Sequence, residues 1–182
     1  MPALLTRTSS PPNRSTASLT ARAASAGFPT SARTARTESA GNVADMSDEV
    51  WNRVIETNLT GVFYCCSAAI PQMRTRGGGW IINISSLAGK NSFAGGGAYC
   101  ASKAGLNAFS ESLMQEVRHD GIRVSYVMPG SVATEFSRGG STGADWKLTS
   151  ADVAQVVMDL LAHPDRSLPS RVELRPSRPP KK

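Results

Sequence analysis

Tyr99 and Lys103 lie four residues apart in Ala98-Tyr99-Cys100-Ala101-Ser102-Lys103-Ala104, a stretch that reads as the start of a helix. That spacing puts a phenol and an ammonium on one helical face. A free tyrosine titrates near 10, and a cation within hydrogen-bonding range lowers an acid's pKa by about 1–3 units. Tyr99 is therefore a candidate general acid/base. Thirteen residues upstream, Trp80-Ile81-Ile82-Asn83-Ile84 is a short β-branched run closed by Ser85-Ser86. A strand there places the Ser86 hydroxyl at its carboxyl end, where open α/β sheets bind their ligands.

These residues need elements to hold them, and the 182-residue chain has the length for one domain with a proper core. Ser47, followed by Asp48 and Glu49, starts a helix along which Trp51, Val54, Ile55, Asn58 and Val62 recur at helical spacing. Asn58 falls on that apolar face, so its amide must tie down backbone or hold a water. Gly77-Gly78-Gly79 lead into the strand at 80–85, and a glycine-rich loop leads into the Tyr99 helix, with a core stripe of Leu106, Phe109, Leu113 and Val117. A second strand is expected at 123–128, ending at Pro129-Gly130, followed by a mobile loop over 135–149. Thr149 with Asp152 opens a further helix closed by His163-Pro164, and Val172 and Leu174 alternate with charged residues as in a short edge strand. Helix and strand alternate from 47 to 175, which predicts an α/β fold with a parallel sheet flanked by helices.

The formal charge of +6 does not describe a nucleic-acid groove. Residues 1–40 carry five arginines and one acid, residues 171–182 five basic side chains and Glu173, and the stretch between them ten basic and twelve acidic residues. The basic character belongs to the ends, which argues against a central site for a phosphate backbone. Adjacent Cys65 and Cys66 with a distant Cys100 make neither a disulfide framework nor a metal clip and suit a reducing compartment; His119 and His163 sit at expected helix C-termini without ligand-like companions. No metal site is expected. The longest mostly apolar stretch, 61–70, is about half a membrane span, so a soluble, cytoplasmic protein is the reading.

Residues 1–40 are dominated by Ala, Ser, Thr, Arg and Pro without apolar periodicity, a composition that cannot offset its own ordering entropy. They are expected to be disordered and foreign to the domain. Three origins stay open: an organellar transit peptide, a flexible basic arm, or sequence read in a shifted frame. Residues 41–175 form the domain and 176–182 a basic tail.

Taken in order, Asn58 in Asn-Leu-Thr-Gly, Ser86 closing Ile-Asn-Ile-Ser-Ser, Tyr99 and Lys103 in Tyr-Cys-Ala-Ser-Lys-Ala-Gly, and Pro129-Gly130-Ser131-Val132-Ala133-Thr134 closely resemble the short-chain dehydrogenase/reductase family. The resemblance runs from about residue 45 to 175 and is nearest the 3-oxoacyl-carrier-protein reductase group. It implies a Rossmann-like sheet and hydride transfer between NAD or NADP and a small carbonyl or alcohol substrate. By resemblance, Tyr99 passes a proton to or from the substrate oxygen and Ser86 hydrogen-bonds that oxygen. Lys103 assists Tyr99 and holds the nicotinamide ribose, and Asn58 holds a relay water. Pro129, Gly130, Val132 and Thr134 lie along the nicotinamide, and Phe136 and Trp146 fall in the substrate-covering segment. A homodimer or homotetramer through the helices around 58–76 and 98–118 is also implied.

The resemblance further implies elements that the sequence does not display. The family's opening strand, Thr-Gly-x-x-x-Gly-x-Gly turn and helix have no counterpart, since Gly27 is the only glycine before residue 41. The expected fold is thus the truncated, C-terminal part of a doubly wound domain, with about four strands of seven unaccounted for. The expected cost is lost burial at Ile81, Ile82 and Ile84, about 1.5–3 kcal/mol for each side chain fully exposed. An alternative to the enzyme is an inactive fragment that acts at most as an oligomerisation partner.

Overall fold

The computed structural model describes residues 41–133 and 145–180, and the element order among them is the alternating one expected from the sequence. Helix α1 (Asp48–Ile55) passes through a single wide turn at Glu56–Thr60, bonded in the π manner, into α2 (Gly61–Thr75). Ser47 caps α1 by accepting the Val50 N–H at 3.4 Å. Strand β1 (Gly79–Ile84) is followed by a 3-10 turn at Leu87–Gly89, and α3 (Gly97–Val117) leads to β2 (Ile122–Pro129). Helix α4 (Ser150–Leu161) and β3 (Arg171–Leu174) complete the order. Thr149 and Asp152 form the expected reciprocal capping box at the start of α4.

The three strands are parallel in the order β1-β2-β3, with Ile81 opposite Val124 and Val127 opposite Val172. Parallel neighbours need crossovers, and α3 and α4 supply them on opposite faces. Ile81, Ile122 and Val124 point to one face, where Val62, Cys66, Ala69 and Met73 of α2 and Leu106, Leu113 and Val117 of α3 cover them. Trp80, Ile82 and Val127 point to the other, against Val157 and Leu160 of α4. The period of two along the strands thus becomes three layers. The entry to β1 depends on Gly78 (φ 129°), where a Cβ would stand 2.3 Å from the Gly121 carbonyl oxygen at the entry to β2. Only a residue without a side chain fits there.

Several expectations need correction. The helix read as continuous from Ser47 is interrupted at Glu56–Thr60, because an extra residue is accommodated in the turn that carries Asn58. Trp51 is exposed rather than core, since the cluster built by α1 consists of Val54, Ala98 and Met46. The loss of burial expected at β1 is absent from Ile81 and Ile82, both 0% exposed, while Ile84 is partly buried. Among the described residues β1 has a strand on one side only. The expected mobile loop begins in residues outside the description, but its far end is fixed: Leu148 is buried, donates to the Ser131 carbonyl at 3.0 Å and accepts from Ala133 N at 2.6 Å.

A carboxylate joins the turn after β1 to β3. Glu173 takes Lys90 Nζ at 2.5 Å on one oxygen and an Arg175 guanidinium nitrogen at 2.8 Å on the other. Hydrogen bonds from Lys90 and then Arg175 hold its pKa down at about 2. Because the folded value is depressed, the stabilisation is present above the ordinary carboxylate value of 4.5 and is lost as pH falls towards 2. Thermal melts between pH 5 and pH 2, an interval of roughly three units, should therefore fall more steeply for the parent protein than for Glu173→Gln. Leu106→Ala, which empties a 1%-exposed position between α2 and β1, should cost about 2–5 kcal/mol in urea unfolding.

Candidate active site

The Ser86 hydroxyl is placed by the strand end that precedes it. β1 stops at Ile84, and Ser86, with extended backbone, caps the 3-10 turn by accepting the Ala88 N–H at 3.1 Å. The Gly89 N–H donates to the Ser86 carbonyl at 3.1 Å, which closes the turn. This turn lies directly on α3. A Cβ at Gly89 would come within 2.7 Å of both the Lys103 carbonyl and Asn107 Nδ2, so only glycine permits the approach.

Tyr99 and Lys103 stand in the first two turns of α3, both half-buried. Lys103 Nζ lies 6.0 Å from the Tyr99 ring centroid and donates to the Ile84 carbonyl at 3.0 Å, the last carbonyl of β1. The ammonium is thereby held between the phenol and the strand end. Asn58 is joined to the same helix from the π turn. Its Nδ2 donates to Ser102 Oγ at 3.1 Å, and Ser102 Oγ donates to the Tyr99 carbonyl at 2.8 Å. Asn58 and Lys103 are thus tied to the Tyr99 helix and the end of β1, and the turn that Ser86 caps abuts the same helix through Gly89.

The β2 end runs beside it. Pro129 is buried as the last residue of β2, and the Gly130 N–H donates to the Leu174 carbonyl at 2.8 Å. A Cβ at Gly130 would meet Leu87 of the Ser86 turn at 3.2 Å, so the two segments are neighbours. Val132 forms a bridge with Leu148, half-buried. Thr134 and Phe136 lie outside the described residues. Trp146 is half-buried, with Lys147 Nζ 5.9 Å from its ring centroid.

At the end of β1 the Lys103 ammonium stands beside the Tyr99 ring, and the Ser86 turn follows it, residue types that can move a proton at an oxygen atom and stabilise charge there. Burial, then the neighbouring Cys65, pushes the Cys66 thiol up to about 12, and burial raises Cys65 too, which disfavours thiolate chemistry at that pair. Among the described residues no group of three His, Cys, Asp or Glu side chains is placed to hold a metal. Sequence reasoning overlooked Ser85, Ser102 and Asn107, all bonded within this cluster. Asn107 had a visible signal, since it continues the Tyr99, Lys103 spacing by one further turn.

Comparison with known proteins agrees with the fold. Residues 24–143 match the family described as short chain dehydrogenase, a match that begins inside the segment expected to be foreign. An uncharacterized oxidoreductase of Staphylococcus saprophyticus is 33% identical over 128 residues, covering 70% of this chain and 55% of that protein. The 3-oxoacyl-acyl-carrier-protein reductase of Chlamydia pneumoniae is 38% identical over 125 residues, covering 63% and 50%. Among solved structures, the closed form of a serine dehydrogenase complexed with NADP+ superposes with a TM-score of 0.66 at 34% identity, over 74% of this chain and 59% of that one. The chain spans about half the length of the curated relatives it matches. With more than half of its residues matched to the family, a parallel sheet flanked by helices, and similar oxidoreductases as relatives, the chain belongs to the short-chain dehydrogenases.

Proposed function

We propose that the chain is an NAD(P)-dependent oxidoreductase acting on a small carbonyl or alcohol substrate, with Tyr99 as general acid/base. The observation that carries this reading is Lys103, whose ammonium is fixed between the Tyr99 ring and the Ile84 carbonyl at the end of β1. When bound, the nicotinamide supplies or accepts the hydride. The donor set fits the ribose end of such a cofactor, since an ammonium and a phenol suit vicinal hydroxyls, and Pro129, Gly130, Val132 and Thr134 are assigned to the nicotinamide. NAD and NADP are both compatible with these residues; the serine dehydrogenase it resembles was solved with NADP+.

The chain's own groups divide the proton work. Tyr99 holds the proton that passes to or from the substrate oxygen, and Lys103 supports the phenolate electrostatically. A serine hydroxyl has one proton and two lone pairs. At Ser86 the Ala88 N–H engages a lone pair, so the cap orients the hydroxyl and leaves its proton to stabilise charge on the substrate oxygen. Asn58, tied through Ser102 to the Tyr99 carbonyl, is assigned the relay water on the Lys103 side.

A homodimer or homotetramer is part of the proposal. Phe63 and Tyr64 of α2 are about half exposed, and Phe63 stacks edge-on against Phe109 of α3 at 6.5 Å, which makes an aromatic face on the two helices expected to pair. A cytoplasmic location is also part of the proposal.

The test is binding followed by turnover. NADPH or NADH fluorescence should change at micromolar protein, and a panel of ketones should drive its oxidation. Tyr99→Phe should keep the fluorescence change and lose about 10²–10⁴-fold in rate. Absence of binding below millimolar cofactor would overturn the enzymatic reading and favour an oligomerisation partner without catalysis.

A further inference from the structure

We infer that Asn107 is a positioning residue of this site, whose amide sets where the Ser86 turn lies against Lys103. The inference rests on the reading of Ser86 and Lys103 given above. Asn107 stands one helical turn beyond Lys103 and two beyond Tyr99, on the same stripe of α3. Its Oδ1 accepts the Ser85 hydroxyl at 2.5 Å, its Nδ2 faces Met128 Sδ at 3.6 Å, and the Gly89 Cβ position is 2.7 Å from that same nitrogen. One amide thus bonds the residue before Ser86 and the residue before Pro129, and lies where a side chain on Gly89, the last residue of the turn that Ser86 caps, would stand.

Geometry shows why an amide is needed there rather than an apolar group of equal size. Ser85 is buried at 5% exposure, and a buried hydroxyl requires an acceptor. The other acceptor that it approaches among the described residues is the Lys103 carbonyl, at 3.4 Å, which already belongs to the backbone of α3. Without the Ser85–Asn107 bond the end of β1 loses a tie to α3, and where the Ser85 hydroxyl remains it must also shorten that longer contact. Such a shift draws the end of β1 along α3 and moves the attached Ser86 turn. The Ser86 hydroxyl then loses its placement relative to Tyr99, although Tyr99, Lys103 and Ser86 are all still present.

Hydrogen exchange reads the turn with no cofactor and no substrate. Asn107→Leu removes the acceptor at nearly constant volume, Ser85→Ala removes the donor, and Asn107→Asp restores an acceptor oxygen. The Ala88 and Gly89 amides, which bond to the Ser86 hydroxyl and carbonyl, should exchange about tenfold faster in Asn107→Leu and in Ser85→Ala. The double variant should be no faster than either single one, Asn107→Asp should stay near the parent, and amides of the β1–β2 ladder should be unchanged in all four. In turnover, Asn107→Leu should lower kcat with little change in the cofactor KM. Two outcomes would overturn the inference: turn amides within about twofold of the parent in Asn107→Leu, or equal acceleration throughout the β1–β2 ladder. Should the parent protein neither bind nor oxidise the cofactor, the proposed reaction fails, while the exchange pattern still decides the role of Asn107.

Discussion

Polar bridges tie the end of β1 and the residue after it to α3, and the placement of the candidate site depends on them. Asn83 donates to Ser110 at 2.9 Å, Ser85 donates to Asn107 at 2.5 Å, and Lys103 donates to the Ile84 carbonyl at 3.0 Å. Asn83 meets the helix at Ser110, and Ile84 and Ser85 meet it at Lys103 and Asn107, about one to two turns nearer its start. Apolar contacts alone tolerate a helix sliding over a sheet, because one aliphatic group replaces another at little cost. Buried hydroxyls and amides do not tolerate it. A slide of one turn would orphan Asn83 and Ser85 together, at about 1–3 kcal/mol for each unsatisfied group, against a net domain stability of about 5–15 kcal/mol. The register of α3 on β1 is therefore specified by polar groups and only sealed by apolar ones.

The rest of the architecture follows from that register. Fixing α3 on β1 brings the Gly89 turn into backbone contact with Lys103, and brings β2 beside β1 with Gly79 opposite Ile122. The same helix also closes the other approach. Leu59, from the π turn, would meet a Cβ on Gly105 at 2.9 Å, so α3 and the π turn pack as tightly as α3 and the Ser86 turn. An ordinary α turn at Glu56–Thr60 would rotate the following residues by about 100° per residue of offset. The extra residue there lets Asn58 face Ser102 while Val62, Cys66 and Ala69 remain on the core.

Much of this is legible in the sequence, for identifiable reasons. The strand runs at 80–85 and 123–128 fall within one residue of their observed ends, because β-branched runs bounded by glycines have few alternative conformations. Leu106, Leu113 and Val117 are buried as their spacing requires. Trp51 fails the same rule because periodicity marks a face without saying how far the covering layer extends. The π turn leaves no compositional mark in Glu-Thr-Asn-Leu-Thr, so a continuous helix is the natural reading. The quartet of Asn58, Ser86, Tyr99 and Lys103 is visible through residue type and order, whereas Ser85, Ser102 and Asn107 look like ordinary small polar residues until a neighbouring element supplies their partner.

That contrast separates two kinds of information in the chain. Reactive groups announce themselves by chemistry, since few residue types can move a proton near neutral pH. Supporting groups announce themselves only by pairing across elements distant in sequence, such as Ser85 with Asn107 or Asn58 with Ser102, and one sequence contains no record of those pairs. The supporting groups still leave an indirect trace. Helix α3 carries Ser102, Asn107 and Ser110 on its inward side, polar types that an apolar stripe would ordinarily exclude. A helix that combines a core stripe with inward polar residues at several turns must meet polar groups on the element it covers. In this chain those are Asn58, Ser85 and Asn83, which makes inward polarity on the helix after the candidate acid/base a guide to where the site is held.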